Sequence, residues 1–468
     1  MGKRRRNKLL KDVTIESIGA EGKGIARKEG KVIFVDGGIP GDTADVVVYK
    51  NKKAYAHARY HTVTAFSDLR QPAFCPHFEY CGGCKWQHLS YSQQLKYKQQ
   101  IVVDALERIG KAAIGEVHPI LGADPNRYYR NKMEFSFSNK RWLTPEEIRQ
   151  EATISQRAGV GFHVSGAFDK VLDITECHLM DDLQNQIRNT LRDYALQEQL
   201  SFYDIRQQTG WLRNMFIRNT ISGDWMVILV VSEWKEAPLQ AIQSLLTDRF
   251  PAIKSFYAIE NPKKNESIYD LTPRLLHGDP FLIETLGDRQ YRIGPKSFFQ
   301  TNTYQAKRLY DLVRTFADLQ PTDRVYDLYT GAGSIALYVA DRCEQVIGIE
   351  SVPEAVQDAE ANRALNGLHN LTFWAGDIKE ILKPGFVAEH GAPDVIITDP
   401  PRAGMHADVV EVIRQSGARR IVYVSCNPST QARDIELLQD TYAVTRIQPV
   451  DMFPHTFHVE NIAQLDLR

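Results

Sequence analysis

The alternation of apolar and polar residues divides the chain into three regions. From Val13 to Tyr60, short β-type runs are separated by glycines, as in KVIFVDGGIPGD, a pattern typical of a small five-stranded barrel. Residues 127 to about 285 carry longer β-type runs such as WMVILVV, and helical periodicity appears near Asp181 to Glu198 and near Pro238 to Asp248. This middle region is predicted to be a mixed α+β domain.

From Tyr291 onward, strand-like runs alternate with helical segments, and RVYDLY, QVIGIE, DVIITDPP and RIVYVSC are each followed by a helical pattern. This alternation predicts a Rossmann-like, doubly wound parallel sheet whose ligands bind at the carboxyl ends of the strands. A Gln- and Lys-rich helix from Tyr91 to Lys111 is expected to pack on that domain. The expected fold class is multidomain α/β, with domains at 1–66, at 67–90 together with 126–287, and at 91–125 together with 288–468.

Composition places the chain among globular proteins. Of its 468 residues, 43% are hydrophobic and 25% are charged, which excludes a disordered or collagen-like chain. No apolar run is long enough to cross a bilayer, and the basic start from Lys3 to Lys11 lacks the apolar segment of a signal peptide. We expect a cytoplasmic protein without a membrane partner, and a monomer.

The net charge of −1 conceals an asymmetry along the chain. Residues 1 to 65 hold 14 Lys and Arg against 7 Asp and Glu, a surplus of +7, which leaves −8 for the remainder. Such a surplus indicates a module that binds a polyanion such as RNA. For the first eleven residues, a solvated tail is the alternative interpretation.

Three of the six cysteines, Cys75, Cys81 and Cys84, fall within ten residues, and six are too few for a disulfide scaffold at this length. Clustered thiols in a reducing compartment indicate a metal site. The two glycines between Cys81 and Cys84 would let the backbone wrap closely around an inorganic cluster. Zinc is the alternative metal. Three nearby histidines, which we interpret as ordinary loop residues, are spare candidate ligands: His77, His88 and His178.

A glycine turn follows the first strand of the C-terminal region. The segment from Asp327 to Gly333, DLYTGAG, precedes a predicted helix, where backbone N–H groups can approach a bound cofactor. Glu350 ends the next strand, 23 residues after Asp327, where a carboxylate can bind two ribose hydroxyls. These features fit a nicotinamide cofactor and S-adenosylmethionine equally well.

Four further segments stand out, and a dehydrogenase needs neither the Asp-Pro-Pro-Arg turn nor the cysteine among them. In chain order they are Phe298-Phe-Gln300-Thr-Asn302, Asp399-Pro-Pro-Arg402, Ser425-Cys426-Asn-Pro428 and His458-Val-Glu460. Together with the glycine turn they resemble the signatures of the S-adenosylmethionine-dependent RNA uridine-C5 methyltransferases of the 23S ribosomal RNA type. The stretch EGKGIAR…VIFVDGGIPGD resembles the TRAM domain, an RNA-binding module of RNA-modifying enzymes. The resemblance therefore implies a TRAM barrel, a central RNA-binding domain and a class I methyltransferase domain.

The chemistry of uracil explains why a cysteine and a carboxylate are useful together. Uracil C5 is a poor nucleophile until a thiolate adds to C6, and Cys426 at a strand end suits that role. The C5 proton must leave after methylation, and Glu460 is available as the base. The alternative for Cys426 is an inert buried thiol.

The resemblance implies further roles, residue by residue. Six residues match positions that contact S-adenosylmethionine: Gln300, Tyr329, Ser334, Glu350, Asp377 and Asp399. Phe298 matches an aromatic residue that handles the flipped base; a core aromatic is the alternative for Phe298 and a solvated turn residue for Asp377. The chain departs from the commonest family wording at Thr330, where cysteine is frequent, and at Ser334. Thr330 removes no chemistry, whereas Ser334 leaves undetermined whether a hydrogen bond to the cofactor forms at that position.

The resemblance also assigns a 4Fe-4S cluster to the cysteines, with Cys177 as the distant fourth ligand after Cys75, Cys81 and Cys84. Arg130 and Lys132, in RYYRNK, mix cations with aromatic neighbours and match a family motif, so they are expected to bind RNA; a hydrogen-bonded strand edge is the alternative. The expected substrate is 23S ribosomal RNA. Three alternatives remain: a transfer-RNA T-loop methyltransferase, a non-catalytic iron-sulfur redox sensor that binds RNA, and a nicotinamide-dependent reductase of RNA bases.

Overall fold

The computed structural model describes residues 8–149 and 156–468, so the basic start from Lys3 to Arg6 lies outside the described residues. The first region has six strands: β1 (Lys8–Thr14), β2 (Ser17–Ile18), β3 (Gly24–Lys28), β4 (Lys31–Asp36), β5 (Thr43–Asn51) and β6 (Tyr55–Ala65). Their order is β1-β5-β6-β4-β3-β2, and β1 also approaches β3, so the sheet curls around a core of Val, Ile, Leu and Ala. The prediction of five strands was wrong because the short β2 folds back on β3.

A cysteine-containing loop leads from this sheet to α1 (Tyr91–Arg108) and the short β7 (Glu116–Val117). The predicted helix extends to Lys111, but α1 ends at Arg108, and Lys111 adopts a φ of 50°. Val102 and Leu106 of α1 are fully buried in the core of the C-terminal region. The apolar residues of this helix therefore serve a partner that is distant in sequence.

The middle region contains β8 (Lys132–Ser138), α2 (Pro145–Arg149), β9 (Gly159–Val164), β10 (Ala167–Asp173), α3 (Leu183–Gln197), β11 (Leu212–Asn219), β12 (Trp225–Val231), α4 (Glu236–Arg249), β13 (Ile253–Glu260) and β14 (Arg274–Gly278). The sheet order is β10-β9-β8-β11-β12-β13-β14, and only β12 and β13 pair in parallel. Every residue of β12 is buried, which explains its unbroken apolar sequence. The mixed α+β prediction agrees with these elements.

The C-terminal region begins with a hairpin and continues as a wound sheet. Its elements are β15 (Leu282–Leu286), β16 (Arg289–Ile293), α5 (Thr303–Ala317), β17 (Arg324–Leu328), α6 (Ser334–Val339), β18 (Gln345–Glu350), α7 (Pro353–Leu365), β19 (Leu371–Ala375), α8 (Ile378–Ile381), α9 (Pro384–His390), β20 (Val395–Thr398), α10 (Ala407–Gln415), β21 (Arg420–Ser425), α11 (Pro428–Leu438), β22 (Tyr442–Val450) and β23 (Glu460–Leu467). The order is β19-β18-β17-β20-β21-β23-β22-β7. The prediction of a parallel sheet is corrected at β23, which runs antiparallel to both its neighbours.

A buried network connects α1 to residues 451–458, which lie in the segment between β22 and β23. Lys98 Nζ lies 2.6 Å from Asp451 Oδ1, and both side chains are fully buried. The Tyr91 hydroxyl donates to Asp451 Oδ2 over 2.9 Å, and the His455 amide donates to Gln94 Oε1 over 2.9 Å. These contacts hold the chain that leads into Glu460. Across the residues described, no helix is both long and apolar enough to span a membrane.

Candidate active site

The predicted motifs meet at one edge of the C-terminal sheet. Strands β17, β18, β20 and β21 run in parallel, so their carboxyl ends lie side by side. The residues at or just after these ends are Tyr329, Glu350, Asp399 and Cys426. Strand β23 enters the same edge from the opposite direction and begins with Glu460. Residues separated by more than 100 positions in sequence therefore share one recess.

The glycine turn after β17 is held open by its own hydrogen bonds. Gly331 and Gly333 adopt φ values of 57° and 77°, which strain any residue with a side chain. Buried Asp327 accepts hydrogen bonds from Thr330 Oγ1 over 2.5 Å and from the Ala336 amide over 3.1 Å. Thr330, a departure from the family wording, thus fixes the turn that it occupies.

Open space remains on the cofactor side of this turn. A Cβ placed on Gly331 would meet nothing within 4 Å, whereas one on Gly333 would lie 2.5 Å from Leu337 Cδ1. Glu350 Oε2 accepts from the Gly331 amide over 3.1 Å, and its Oε1 accepts from the Val352 amide over 2.9 Å. Gly331 therefore borders a volume that a ligand can enter, with the partly exposed Glu350 carboxylate beside it.

Two other predicted cofactor residues flank the turn. Partly exposed Ser334 begins α6, and its carbonyl accepts from the Tyr291 hydroxyl over 3.1 Å. Asp377 is exposed two residues after β19 and caps α8 by accepting from the Lys379 amide over 3.2 Å. Asp377 therefore acts as the turn residue of the alternative interpretation, and it lies near the carboxyl end of β19.

Cys426 and Glu460 lie next to each other across a strand pair. Ser425 is opposite Asn461 in the antiparallel pairing of β21 with β23, which places the following Cys426 beside the preceding Glu460. Burial raises the pKa of the Cys426 thiol to about 11, and the nearby carboxyls of Glu460 and Asp399 add to the shift. Burial, together with Asp399, raises the pKa of Glu460 to about 8.

The carboxyl of Asp399 completes the acidic side of this recess. Burial raises its pKa to about 7, with a further contribution from Asp327. The pKa of Asp327 is likewise raised to about 7, chiefly by burial. A site that desolvates several acids in this way disfavours added negative charge and favours a cationic ligand.

Arg402 is the cation that faces these acids, and sequence reasoning gave it no role beyond its motif. It lowers the pKa of both Cys426 and Glu460, against the stronger effect of burial. Its carbonyl accepts hydrogen bonds from Asn427 Nδ2 and Thr430 Oγ1, at 3.0 and 3.2 Å, while its guanidinium is exposed. The Asp-Pro-Pro-Arg turn could have indicated it, because such a turn points the arginine toward the end of β21.

The predicted substrate residues form a second group at the seam with the middle region. Phe298 is 71% exposed, which rules out a core role. Asn131 donates from its amide to the Thr301 carbonyl over 2.9 Å and from Nδ2 to the Gln300 carbonyl over 2.8 Å. The RYYRNK motif is therefore hydrogen-bonded to the segment that carries Phe298 and Gln300.

Arg130 and Lys132 flank that asparagine, and both are partly exposed. Arg130 forms backbone bridges with Met180 and Asn302, so the strand-edge interpretation describes its main chain. Burial lowers the pKa of Lys132 to about 8, and nearby cations lower it further. Through the hydrogen bonds of Asn131, the backbone between these two cations is held against the segment that carries Phe298.

The four cysteines predicted as metal ligands line a single cavity of about 250 Å³ in the middle region, and its lining does not include Cys426 or Glu460. Cys84 and Cys177 are buried, and burial raises their pKa to about 12 and about 11. Within residues 8–149 and 156–468, no three His, Cys, Asp or Glu side chains are grouped so as to hold a metal ion. Neither the iron-sulfur nor the zinc prediction is confirmed.

Comparison with known proteins gives two family matches. Residues 283–467 match the profile described as tRNA (Uracil-5-)-methyltransferase, and residues 10–60 match the TRAM domain. An uncharacterized RNA methyltransferase of Bacteroides thetaiotaomicron is 50% identical over 96% of this chain and 100% of its own length. One from Porphyromonas gingivalis is 47% identical over 96% of this chain and 98% of its own.

A solved structure matches nearly the whole chain. The Pyrococcus abyssi tRNA (uracil-54, C5)-methyltransferase in complex with S-adenosyl-L-homocysteine covers 97% of this chain and 99% of its own, with 29% identity and a TM-score of 0.73. The similarity therefore extends from the N-terminal sheet through the middle region to the C-terminal sheet.

Proposed function

The chain belongs to the RNA uracil-5-methyltransferase family with an N-terminal TRAM domain, and from that premise we propose that it methylates uridine C5 through a covalent adduct between Cys426 and the base. The observation that supports this proposal best is the pairing of Cys426 with Glu460 in a recess lined by Asp399 and Arg402. The thiol must reach C6 and the carboxylate must reach the C5 proton of the same bound uracil, so the two side chains have to lie close together.

The first step joins the Cys426 sulfur to C6 of the bound uracil, which turns C5 into an enolate carbon. The thiol, with a pKa raised to about 11, is protonated at neutral pH and must lose its proton for this step. Arg402 opposes that shift by stabilising the thiolate. S-adenosylmethionine, when bound, would supply its sulfonium methyl group to the enolate carbon C5, and the S–CH3 bond would break to leave neutral S-adenosylhomocysteine.

The second half of the reaction restores the base. Glu460 takes the C5 proton, the electrons of that C–H bond reform the C5–C6 double bond, and the C6–S bond breaks to return Cys426 as a thiolate. A carboxyl with a pKa near 8 is a stronger base than an ordinary glutamate once ionised, because desolvation favours its protonated form.

Six residues are proposed to hold the methyl donor around the glycine turn: Gln300, Tyr329, Ser334, Glu350, Asp377 and Asp399. Glu350 would bind the ribose hydroxyls and Asp377 the adenine side. The open volume at Gly331 and the desolvated carboxyls of Asp327 and Asp399 fit a cationic ligand.

The RNA is proposed to approach the seam between the middle and C-terminal regions. Phe298 is free to stack on a flipped base because most of its ring is exposed. Arg130 and Lys132 would bind the neighbouring phosphates, and the hydrogen bonds of Asn131 keep these cations in register with Phe298.

Two RNA classes are candidate substrates. The resemblance favours 23S ribosomal RNA, since the family's transfer-RNA enzymes usually lack both the TRAM domain and the cluster. The full-length match to an enzyme named tRNA (uracil-54, C5)-methyltransferase favours tRNA instead, and it weakens the argument from domain content. A uridine of 23S ribosomal RNA is our first candidate, and a tRNA uridine is the second.

A 4Fe-4S cluster held by Cys75, Cys81, Cys84 and Cys177 is also proposed. The support is that these four thiols, from two distant segments, line one cavity. In a cubane each thiolate binds a different iron, so its ligands stand farther apart than those of a single ion. The cluster would join the loop before α1 to the segment before α3.

Incubation of the purified protein with radiolabelled S-adenosylmethionine and unmodified transcripts of 23S ribosomal RNA or tRNA tests the activity. We expect 5-methyluridine in one transcript, identified by mass spectrometry of its nucleosides, and none with Cys426→Ala. Product at another atom or another base would overturn the proposal. Labelling of tRNA alone would leave the chemistry intact and reject the ribosomal substrate.

A further inference from the structure

Four aromatic rings gather on the outer surface of the N-terminal sheet, on strands β4, β5 and β6. Phe34 lies opposite His57 in the parallel pairing of β4 with β6. The two ring centroids are 5.4 Å apart, and the ring planes are stacked with an angle of 29° between them. Tyr55 meets His57 edge-on at 5.5 Å, and Tyr49 lies 6.1 Å from it at 30°. These four residues are called the aromatic face below.

The aromatic face has no part in the core of its own sheet. Neighbouring residues in β4 and β6, such as Ile33, Val35 and Ala58, point inward and are buried, and the core contains only aliphatic side chains. The four rings point outward by strand alternation; Tyr49 is 47% exposed and the others are partly exposed. A solvent-facing group of rings on a sheet is a platform for bases, because every base has a π-face.

The charges around this face also suit RNA. Burial, together with Lys23 and Lys50, lowers the pKa of His57, against the opposite effect of Asp36 and Glu21. The imidazole is therefore neutral at pH 7 and offers a flat ring rather than a cation. The Tyr49 hydroxyl donates to Asp36 Oδ2 over 2.9 Å, which leaves the acid engaged while Lys50 stays exposed.

The turn before β3 lies between the aromatic face and the active-site segment, since its Glu21 and Lys23 act electrostatically on His57. The turn before β3 carries Gly22, where an added Cβ would lie 2.7 Å from Phe457 Cβ. The Phe457 ring is 4.3 Å from the His458 ring, and His458 Nδ1 is 3.5 Å from Arg402 Nη2. Because Arg402 acts on Cys426, these contacts connect the N-terminal sheet with the recess, and the aromatic face belongs to the sheet that packs beside it.

We propose that the aromatic face formed by Phe34, Tyr49, Tyr55 and His57 stacks unpaired bases of the substrate RNA, away from the uridine that is methylated. The proposal rests on the RNA methyltransferase activity and deepens it, since it specifies single-stranded RNA next to the reacting segment as the ligand. Stacking on rings tolerates any base, so this contact adds affinity without selecting sequence.

Paired substitutions separate the ring from other properties of each side chain. Phe34→Leu and Tyr49→Leu keep apolar volume and remove the π-face, whereas Tyr49→Phe keeps the ring and removes the hydroxyl. We expect each leucine variant to bind a fluorescein-labelled single-stranded RNA decamer roughly tenfold more weakly by anisotropy, with Tyr49→Phe close to wild type. Binding of a duplex of the same sequence should not change. The control is Phe168→Leu, an exposed ring on β10 of the middle sheet.

Methylation kinetics give the second measurement. The leucine variants should raise the KM for RNA by a similar factor while kcat and S-adenosylhomocysteine affinity stay at wild-type values, and thermal melting should confirm that they fold. Wild-type affinity in both leucine variants, or equal loss in Tyr49→Phe and Tyr49→Leu, would overturn the platform. A wild-type protein that binds the decamer through these rings but transfers no methyl group would instead reject the proposed function.

Discussion

Desolvation dominates the behaviour of the individual residues in the recess. Cys426 and Glu460 both have a raised pKa and are uncharged at neutral pH in the free protein, which lets them lie beside Asp399 with little repulsion. The shift makes Glu460 a source of pH-dependent stability. Its folded-state pKa of about 8 exceeds its usual value of 4.5, so folding binds a proton between these limits.

A comparison of the wild type with Glu460→Gln tests this linkage. Because the folded carboxyl holds its proton more tightly, wild-type stability contributed by Glu460 is lost as pH rises from about 4.5 to about 8, by at most about 1.4 kcal/mol per pH unit. Glutamine cannot ionise, so the free energy of unfolding of Glu460→Gln should increase relative to that of the wild type as the pH rises from about 4.5 to about 8. Urea unfolding at pH 5, 6, 7 and 8 measures it, and a constant difference would contradict the shift.

Among the elements, α1 and the glycine turn after β17 hold the residues around the site in place. Helix α1 was expected to pack on the C-terminal domain, and two of its polar residues, Gln94 and Lys98, are fully buried against residues 451–458. The turn after β17 accommodates its two glycines for different reasons, one facing open space and the other packed against Leu337. Both features can be tested with single substitutions.

Removal of the buried lysine should destabilise the fold strongly. Lys98→Met leaves the Asp451 carboxylate buried without its cation, which costs about 3 to 5 kcal/mol in comparable pairs. The exposed Lys307–Asp311 pair, 2.8 Å apart on α5, provides the control: Lys307→Met should cost less than about 1 kcal/mol. Equal free energies of unfolding for Lys98→Met and Lys307→Met in urea would show that the buried ion pair stabilises the fold no more than the exposed one.

Alanine at the two glycines should separate stability from cofactor binding. Gly333→Ala combines a φ of 77° with a clash at Leu337 and should unfold well before the wild type. Gly331→Ala meets no protein atom, so it should cost only about 1 to 2 kcal/mol for its left-handed backbone. Its methyl group would occupy the proposed cofactor volume, and calorimetry should show S-adenosylhomocysteine binding weakened roughly tenfold or more. If Gly331→Ala bound S-adenosylhomocysteine with wild-type affinity, the proposed position of the cofactor next to Gly331 would be wrong.

Over the whole molecule, contacts between regions connect the site to distant segments. The amides of Lys85 and Trp86, just after the cysteine loop, both donate to the His455 carbonyl, at 2.8 and 3.0 Å. The chain just after the cysteine loop is therefore bonded to the same residues 451–458 that lead to Glu460. The N-terminal sheet reaches this segment too, through Gly22 and Phe457.

Metal analysis tests the cluster that would join these segments. Protein purified without oxygen should be brown and contain about four irons per chain, because a cubane takes four thiolates. Cys177→Ser should lose iron and melt at a lower temperature, whereas Cys343→Ser, at a cysteine outside the cavity, should retain iron. Colourless protein with one zinc per chain would contradict the cluster.

Much of this architecture could be predicted from sequence because parallel strands align their ends. The motifs at Asp399 and Cys426 follow apolar runs, so their meeting at one edge follows from the fold class. The reversed strand β23 could not be predicted, because an antiparallel return has the same apolar pattern as a parallel one. Burial of Lys98 and the outward rings around His57 depend on partners far away in the chain, which local periodicity does not reveal.

Trapping with 5-fluorouridine tests the central claim of covalent catalysis most directly. Substrate RNA carrying fluorine at C5 has no proton there for Glu460 to remove, so the adduct should persist after methyl transfer. In the presence of S-adenosylmethionine, the wild type should form a denaturation-resistant protein–RNA species, and the cross-linked tryptic peptide should contain Cys426. Cys426→Ala should form none. A cross-link at Cys343, or full turnover of the fluorinated RNA without an adduct, would contradict the mechanism.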